Sequence, residues 1–214
     1  MAREETKPCP HEAYGERIAA LAALLPDDRP SLLAEAALTV TAFDDACCAG
    51  DKEGSRGVRE LQDAIVWKLN GGTFFGSKVA PDGGWGVFEE HNRARPGTVP
   101  LWGQSGEWAV NVEGMRVRAK KSGGDLSLNV VDYDKHFLSP TGFRSALNSL
   151  QNRTGTVQAA TVEVIREVMR EQGRPVPVAP GSAALDEPLP DWISAEESSV
   201  AVFEDRGGQM AFAF

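Results

Sequence analysis

No run of about 18 apolar residues of the kind that crosses a bilayer occurs anywhere in the 214-residue chain. The opening Met1-Ala2-Arg3-Glu4-Glu5-Thr6-Lys7 is charged, with no apolar stretch of signal-peptide type behind it. A cytoplasmic protein without a membrane partner is therefore expected. Cysteine is scarce: Cys9, Cys47 and Cys48 make an odd count, and the adjacent pair lies in a helical pattern where a vicinal disulfide would be strained. All three read as thiols. Cys9-Pro10-His11 has no second ligand pair at zinc spacing, so no metal is expected. Also missing are GxxxxGK[ST], GxSxG and HExxH. With no phosphate loop, nucleophile elbow or zinc-protease helix, no cofactor is expected and an enzyme is disfavoured. Positive charge is short as well, 22 Lys and Arg against 31 Asp and Glu, giving −9. That balance argues against a broad phosphate-binding surface, although a local basic strip is compatible with it.

What is present reads first as helix. From Glu12 to Leu25 the apolar residues Ile18, Leu21, Leu24 and Leu25 share one face, and Pro26-Asp27-Asp28 stops the run. A second helix is expected after Pro30, capped by Ser31, with Leu32, Ala36, Val40, Phe43 and Cys47 as its stripe and Gly50 as its end. A third is expected from Gly57 to Asn70, with Val58, Leu61, Ile65 and Leu69 inward and Asn70-Gly71-Gly72 as its termination.

Beyond Gly72 the apolar period falls from 3.6 to 2. Glu107 to Val112 and Met115 to Arg118 predict a hairpin turning at Glu113-Gly114. Ser122-Gly123-Gly124-Asp125 then leads to a third antiparallel strand at Leu126 to Val131. Val87-Phe88 and Val99 to Trp102 are expected as edge pieces, the latter confined there by Pro100. Ser139-Pro140 reads as a helix start, with Phe143, Ala146, Leu147 and Leu150 on one face, and Thr156 opens a last helix ending at Gly173. The fold expected is α+β: an N-terminal helical layer, a small antiparallel sheet and two further helices, as one domain over 1–173. Residues 174–214 hold five of thirteen prolines and seven acids against two arginines, and are expected to be a flexible acidic tail.

Three runs carry a resemblance: Trp67 to Gly76, Pro100 to Gln104, and Phe137 to Ser145. They resemble small accessory proteins of bacterial conjugative plasmids and integrative elements. The resemblance covers roughly 58 to 150 and implies a bacterial mobile-element setting; it brings no assigned activity.

Four constellations could carry function. Asp132, Asp134 and His136 alternate, so on a strand they would share a face and could hold a divalent cation for phosphodiester hydrolysis. Arg116, Arg118, Lys120 and Lys121 form a basic strand that could meet a polyanion, and Arg144 at the expected helix start could clamp an anion. Trp67, Trp85, Trp102 and Trp108 read as core, with base stacking as the alternative, and Trp108 lies within reach of the basic strand. In the tail, Trp192, Ile193, Phe203, Phe212 and Phe214 are apolar islands that would either dock on a protein partner or fold back on the sheet. The leading expectation is a non-enzymatic accessory protein acting through protein contacts, for instance as an acidic inhibitor of a nucleic-acid-handling or defence enzyme. A metal-dependent nuclease or phosphoesterase and a nucleic-acid-binding module on the basic strand are the alternatives.

Overall fold

The computed structural model describes residues 10–78, 80, 82–131, 136–172, 176–179 and 188–194. They gather in two compact units whose pieces alternate along the chain. The first takes in residues to Ala94 with Pro100–Ser105 and Arg153–Thr156; the second takes in Arg95–Val99, Gly106–Asn152 and the chain from Val157 onward.

The first unit is helical, with α1 (Pro10–Ala22), α2 (Arg29–Ala49), α3 (Lys52–Leu69) and α4 (Gly84–Asn92). Asp28, not Ser31, caps α2: its carboxylate accepts from the Ser31 amide at 2.9 Å, leaving Pro30 in the first turn where its missing donor costs nothing. Gly50 at φ 70° closes α2, and Asp51 at once caps α3 by accepting from the Gly54 amide. Two residues thus turn one long helix back on another. The third helix starts five residues earlier than its apolar stripe suggested, because the cap at Asp51 sets the boundary.

Helix α3 serves two layers. Ile65 and Val66 are buried with Leu32, Ala36 and Val40 of α2 and Phe88 of α4. Ala64 is buried with Ile18 and Ala22 of α1. Burial therefore spreads beyond the single stripe expected, and Val58, Leu61 and Leu69 are only half-buried. Lys68 donates to the Ala22 and Leu25 carbonyls at 3.1 and 2.6 Å, satisfying the free end of α1.

Val87-Phe88 is not an edge strand but the middle of α4. The helix forms because Gly84 can approach α3: a Cβ there would overlap the Val66 carbonyl oxygen. The Val99 to Trp102 run is not a strand either. Trp102 is buried, its amide donating to Asp44 Oδ1 at 2.9 Å and its indole to the Gly155 carbonyl at 2.6 Å.

The second unit is built on a four-stranded antiparallel sheet in the order β1 (Gly106–Val112), β2 (Met115–Ser122), β3 (Asp125–Val130) and β5 (Phe143–Ala146). The turn at Glu113-Gly114 has both φ positive, 54° and 82°, which suits the twist of a tight hairpin. One face buries Trp108, Val110, Val117, Leu126 and Leu128, and α5 (Val157–Gln172) packs on β1 with Val157, Ala160, Val164, Ile165 and Val168 buried. A short pair, β4 (His136–Phe137) with β6 (Val176–Pro177), and a helical turn, α6 (Asp191–Ser194), complete the described residues.

The helix expected at Ser139-Pro140 is absent. Gly142 stands at φ 72°, outside the helical region, and the Ser139 hydroxyl donates to the Phe143 carbonyl at 2.7 Å, making a hydroxyl-stabilised turn. Phe143 to Ala146 then pair with β3, leaving Phe143 and Leu147 45% and 70% exposed where a helix would have turned them inward.

Candidate nucleic-acid interface

The basic strand is the natural place to look first, and its cations are divided. Alternate side chains of a strand point to opposite faces, so Arg116, Arg118 and Lys120 share one side and Lys121 lies on the other. Lys121 is buried among the core residues of the sheet. Arg118 is also buried, with Nε 3.1 Å from Glu107 Oε1, and Lys120 stands directly opposite Glu107. Arg144 lies opposite Leu128 on β5, half-buried, and with no helix there its predicted anion clamp at a helix start falls away. The four cations of the expected basic strand are thus divided between two faces, with Glu107 set among them. Trp108 is wholly buried and has no face for a base.

Of the expected catalytic trio only His136 lies among the described residues. Asp132 and Asp134 lie outside the described residues, and His136 is an exposed residue at the start of β4. Among the tail residues, Ile193 is buried, and Trp192 packs over Gly97, where a Cβ would come within 3.3 Å of the indole. Phe203, Phe212 and Phe214 lie outside the described residues, as does Cys9. Cys47 and Cys48 are free thiols as expected. Burial, then the charge of Asp44, raises the Cys48 thiol above its ordinary pKa, the opposite of what a nucleophile requires.

The helical unit presents a different set of cations. Lys52, Arg56 and Arg59 follow one another at i, i+4 and i+7 from the first turn of α3, and all three are exposed. Arg56, 79% exposed, sits 3.9 Å from Glu60, the carboxylate that Arg17 of α1 approaches to 3.3 Å. Two guanidiniums therefore share one carboxylate. The Arg59 guanidinium lies 4.5 Å above the Phe43 ring, which holds it on the surface without neutralising it. Asp51, Glu53 and Glu60 stand in the same turns, so the three cations are matched by three acids and the region is of mixed charge.

Behind that helix the connection from α3 to α4 has a defined shape. Asn70 at the end of α3 donates from its amide to the Thr73 and Phe75 carbonyls at 2.7 and 3.0 Å, and its side-chain oxygen accepts from the Gly84 amide at 3.0 Å. One side chain thus ties the loop to both helices. None of these residues was singled out for function by the sequence reading. The spacing of Lys52, Arg56 and Arg59 was a signal available in it.

Residues 17–91 match the family model described as the KlcB N-terminal DNA-binding domain. Over 185 residues the chain is 40% identical to a Protein KlcB of Escherichia coli, covering 83% of this chain and 40% of that protein. It is 35% identical over 185 residues to a second Protein KlcB of Escherichia coli, covering 82% of this chain and 46% of that one. The chain thus spans less than half the length of either of these relatives. No solved structure matches it. Among the described residues no helix is long and apolar enough to cross a membrane.

Proposed function

We propose that the helical unit binds duplex DNA, with the exposed cations of α3 as its phosphate contacts. The observation that carries this is the coincidence of two boundaries: the stretch similar to a DNA-binding domain, 17–91, runs from within α1 to the last turn of α4. Within it, α3 follows α2 after a two-residue turn and opens with three exposed cations on one face. A helix whose first turns carry exposed basic and polar residues suits the major groove, where N-terminal residues of a docked helix reach base edges and their neighbours reach phosphates. The stretch holds seven Lys and Arg against twelve Asp and Glu. Non-specific affinity should therefore be weak, and binding should depend on a favourable sequence. The chain would act as a non-enzymatic accessory DNA-binding protein, its mobile-element setting resting on the sequence resemblance. An inhibitory role through protein contacts rests on the net charge and on the apolar segments at 200–203 and 210–214, and no contact among the described residues favours it.

The test is selection of duplexes from a random-sequence pool with the full chain, followed by anisotropy titration of a selected duplex at several salt concentrations. Arg56→Ala and Lys52→Ala should each weaken binding across sequences and lower the salt slope by about one. Failure to enrich any duplex, or variants with unchanged affinity and slope, would remove the proposal.

A further inference from the structure

We infer that the α3–α4 loop inserts Phe75 as an apolar wedge between base steps of the bound duplex. This rests on the DNA-binding reading above and adds to it how the DNA is held and deformed. Phe75 is 92% exposed and its neighbour Phe74 39% exposed, in a chain whose other large exposed apolar residues include no aromatic within the first unit. Burial of an aromatic ring is strongly favourable, so a ring held almost wholly in water needs an explanation.

The loop does not simply leave the ring loose. Asn70 binds the Phe75 carbonyl, and the Phe75 amide donates to Thr73 Oγ1 at 3.1 Å. The Ser77 amide returns to the Phe74 carbonyl at 3.2 Å and the Ala80 amide to that of Gly76 at 3.2 Å. Gly71, Gly72 and Gly76 take the positive φ that these tight turns require. Phe75 is therefore presented by a backbone fixed on both sides, and little ordering cost remains for binding. The loop, residues 70–83, carries one cation, Lys78, and one acid, Asp82, and so has no net charge in a chain of net charge −9. Lys78 Nζ lies 5.7 Å from the Trp85 ring centroid, which keeps the ammonium at the base of the loop.

An exposed phenyl ring on a loop of no net charge, inside a stretch similar to a DNA-binding domain, has the chemistry of side chains that part-unstack a base step and kink the duplex. Duplex DNA is the occupant assigned because the loop lies inside the stretch similar to a DNA-binding domain and, unlike the chain as a whole, carries no net negative charge.

The experiment uses the full chain and a selected duplex carrying 2-aminopurine at each central step in turn, with donor and acceptor dyes at its ends. Native protein should raise 2-aminopurine fluorescence at one step and shorten the end-to-end distance. Phe75→Ala should abolish both signals and weaken binding about tenfold, the loss of one base–aromatic contact. Phe75→Leu should retain much of the bend, because an apolar wedge is still present. Circular dichroism should not change, since the ring has almost no contact to lose. Native bending and affinity in Phe75→Ala would overturn the wedge while leaving the DNA reading intact. A loss in Phe75→Ala as large on the isolated single strand as on the duplex would overturn it in favour of stacking on unpaired bases. A chain that binds no duplex would overturn both readings at once, and Arg56→Ala distinguishes the cases, because it should weaken binding without removing the 2-aminopurine signal of the remaining complex.

Discussion

Tyr14 reports on the seat of α1 against α3. Its hydroxyl donates to Asp63 Oδ2 at 2.5 Å, and burial, followed by that acceptor and its charge, raises the phenol well above its ordinary 10.0. The unfolded chain loses this proton near the ordinary value while the folded chain still holds it. The contribution to stability is thus whole below about pH 10 and is lost as pH rises through the folded value. The chain has one other tyrosine, Tyr133, so an ultraviolet titration can separate them. Tyr14→Phe should remove the component that ionises late and cost about 1 kcal/mol at neutral pH in a denaturant titration. A native titration in which both tyrosines ionise at the ordinary value would show that this bond does not hold in solution. Asn70 acts at the same scale: the sequence reads it as a helix terminator, which it is, but of its three side-chain hydrogen bonds two reach loop carbonyls three and five residues on, and the third depends on where the chain returns fourteen residues later.

At the scale of elements, period and punctuation made the hairpin legible. Glu113-Gly114 and Gly123-Gly124 lie between alternating runs, and the strands form where the alternation places them. The same approach misread Phe143 to Leu150, because four apolar residues at helical spacing over eight positions also occur by chance in a strand followed by a turn. Gly142 was the overlooked signal, since a residue at positive φ two places into a supposed helix ends it. The difference can be measured. A helix would bury Leu147, whereas the strand and turn leave it 70% exposed while Leu128 on the neighbouring strand is wholly buried. Leu147→Ala should change stability by no more than about 0.5 kcal/mol, and Leu128→Ala should cost about 2 to 5 kcal/mol. Comparable losses at both positions would contradict the sheet. α4 escaped for a different reason: Gly-Trp-Gly-Val-Phe has poor helix propensity, and the helix exists because its glycine fits against α3 and Phe88 fills the core there.

At the scale of the whole molecule, net charge pointed away from nucleic acid, and the candidate interface lies on a face it could not describe. Charge is a sum over the chain, while the proposed contact rests on a few side chains on one surface, Lys52, Arg56 and Arg59. On the basic strand Arg116, Arg118 and Lys120 alternate and share one face, but Arg118 is buried against Glu107, Lys120 stands opposite that same carboxylate and Lys121 lies on the buried face, whereas cations three and four apart on α3 are gathered on one exposed face.

The interleaving of the two units along the chain leads to a last expectation. A fragment ending at Ala94 contains all of α1 to α4 and the whole stretch similar to a DNA-binding domain, so it would be the obvious piece to isolate. It nevertheless omits Leu101, which packs on the cluster of Leu32, Val40, Ile65 and Phe88, and Trp102, which is buried and bonded to Asp44. Removing a large buried aromatic costs about 3 to 5 kcal/mol, and in a domain of this size each kcal/mol is worth about 4 to 8 °C of melting temperature. Fragment 1–94 should therefore melt at least about 10 °C below fragment 1–105, and its DNA affinity should fall as temperature approaches that lower midpoint. Equal melting of the two fragments in a calorimetric scan would show that 100–105 contributes nothing to the helical unit. If fragment 1–105 restores the midpoint but Trp102→Ala in the full chain does not lower it, the stabilisation comes from Leu101 and the added backbone, and the Trp102 contacts are dispensable.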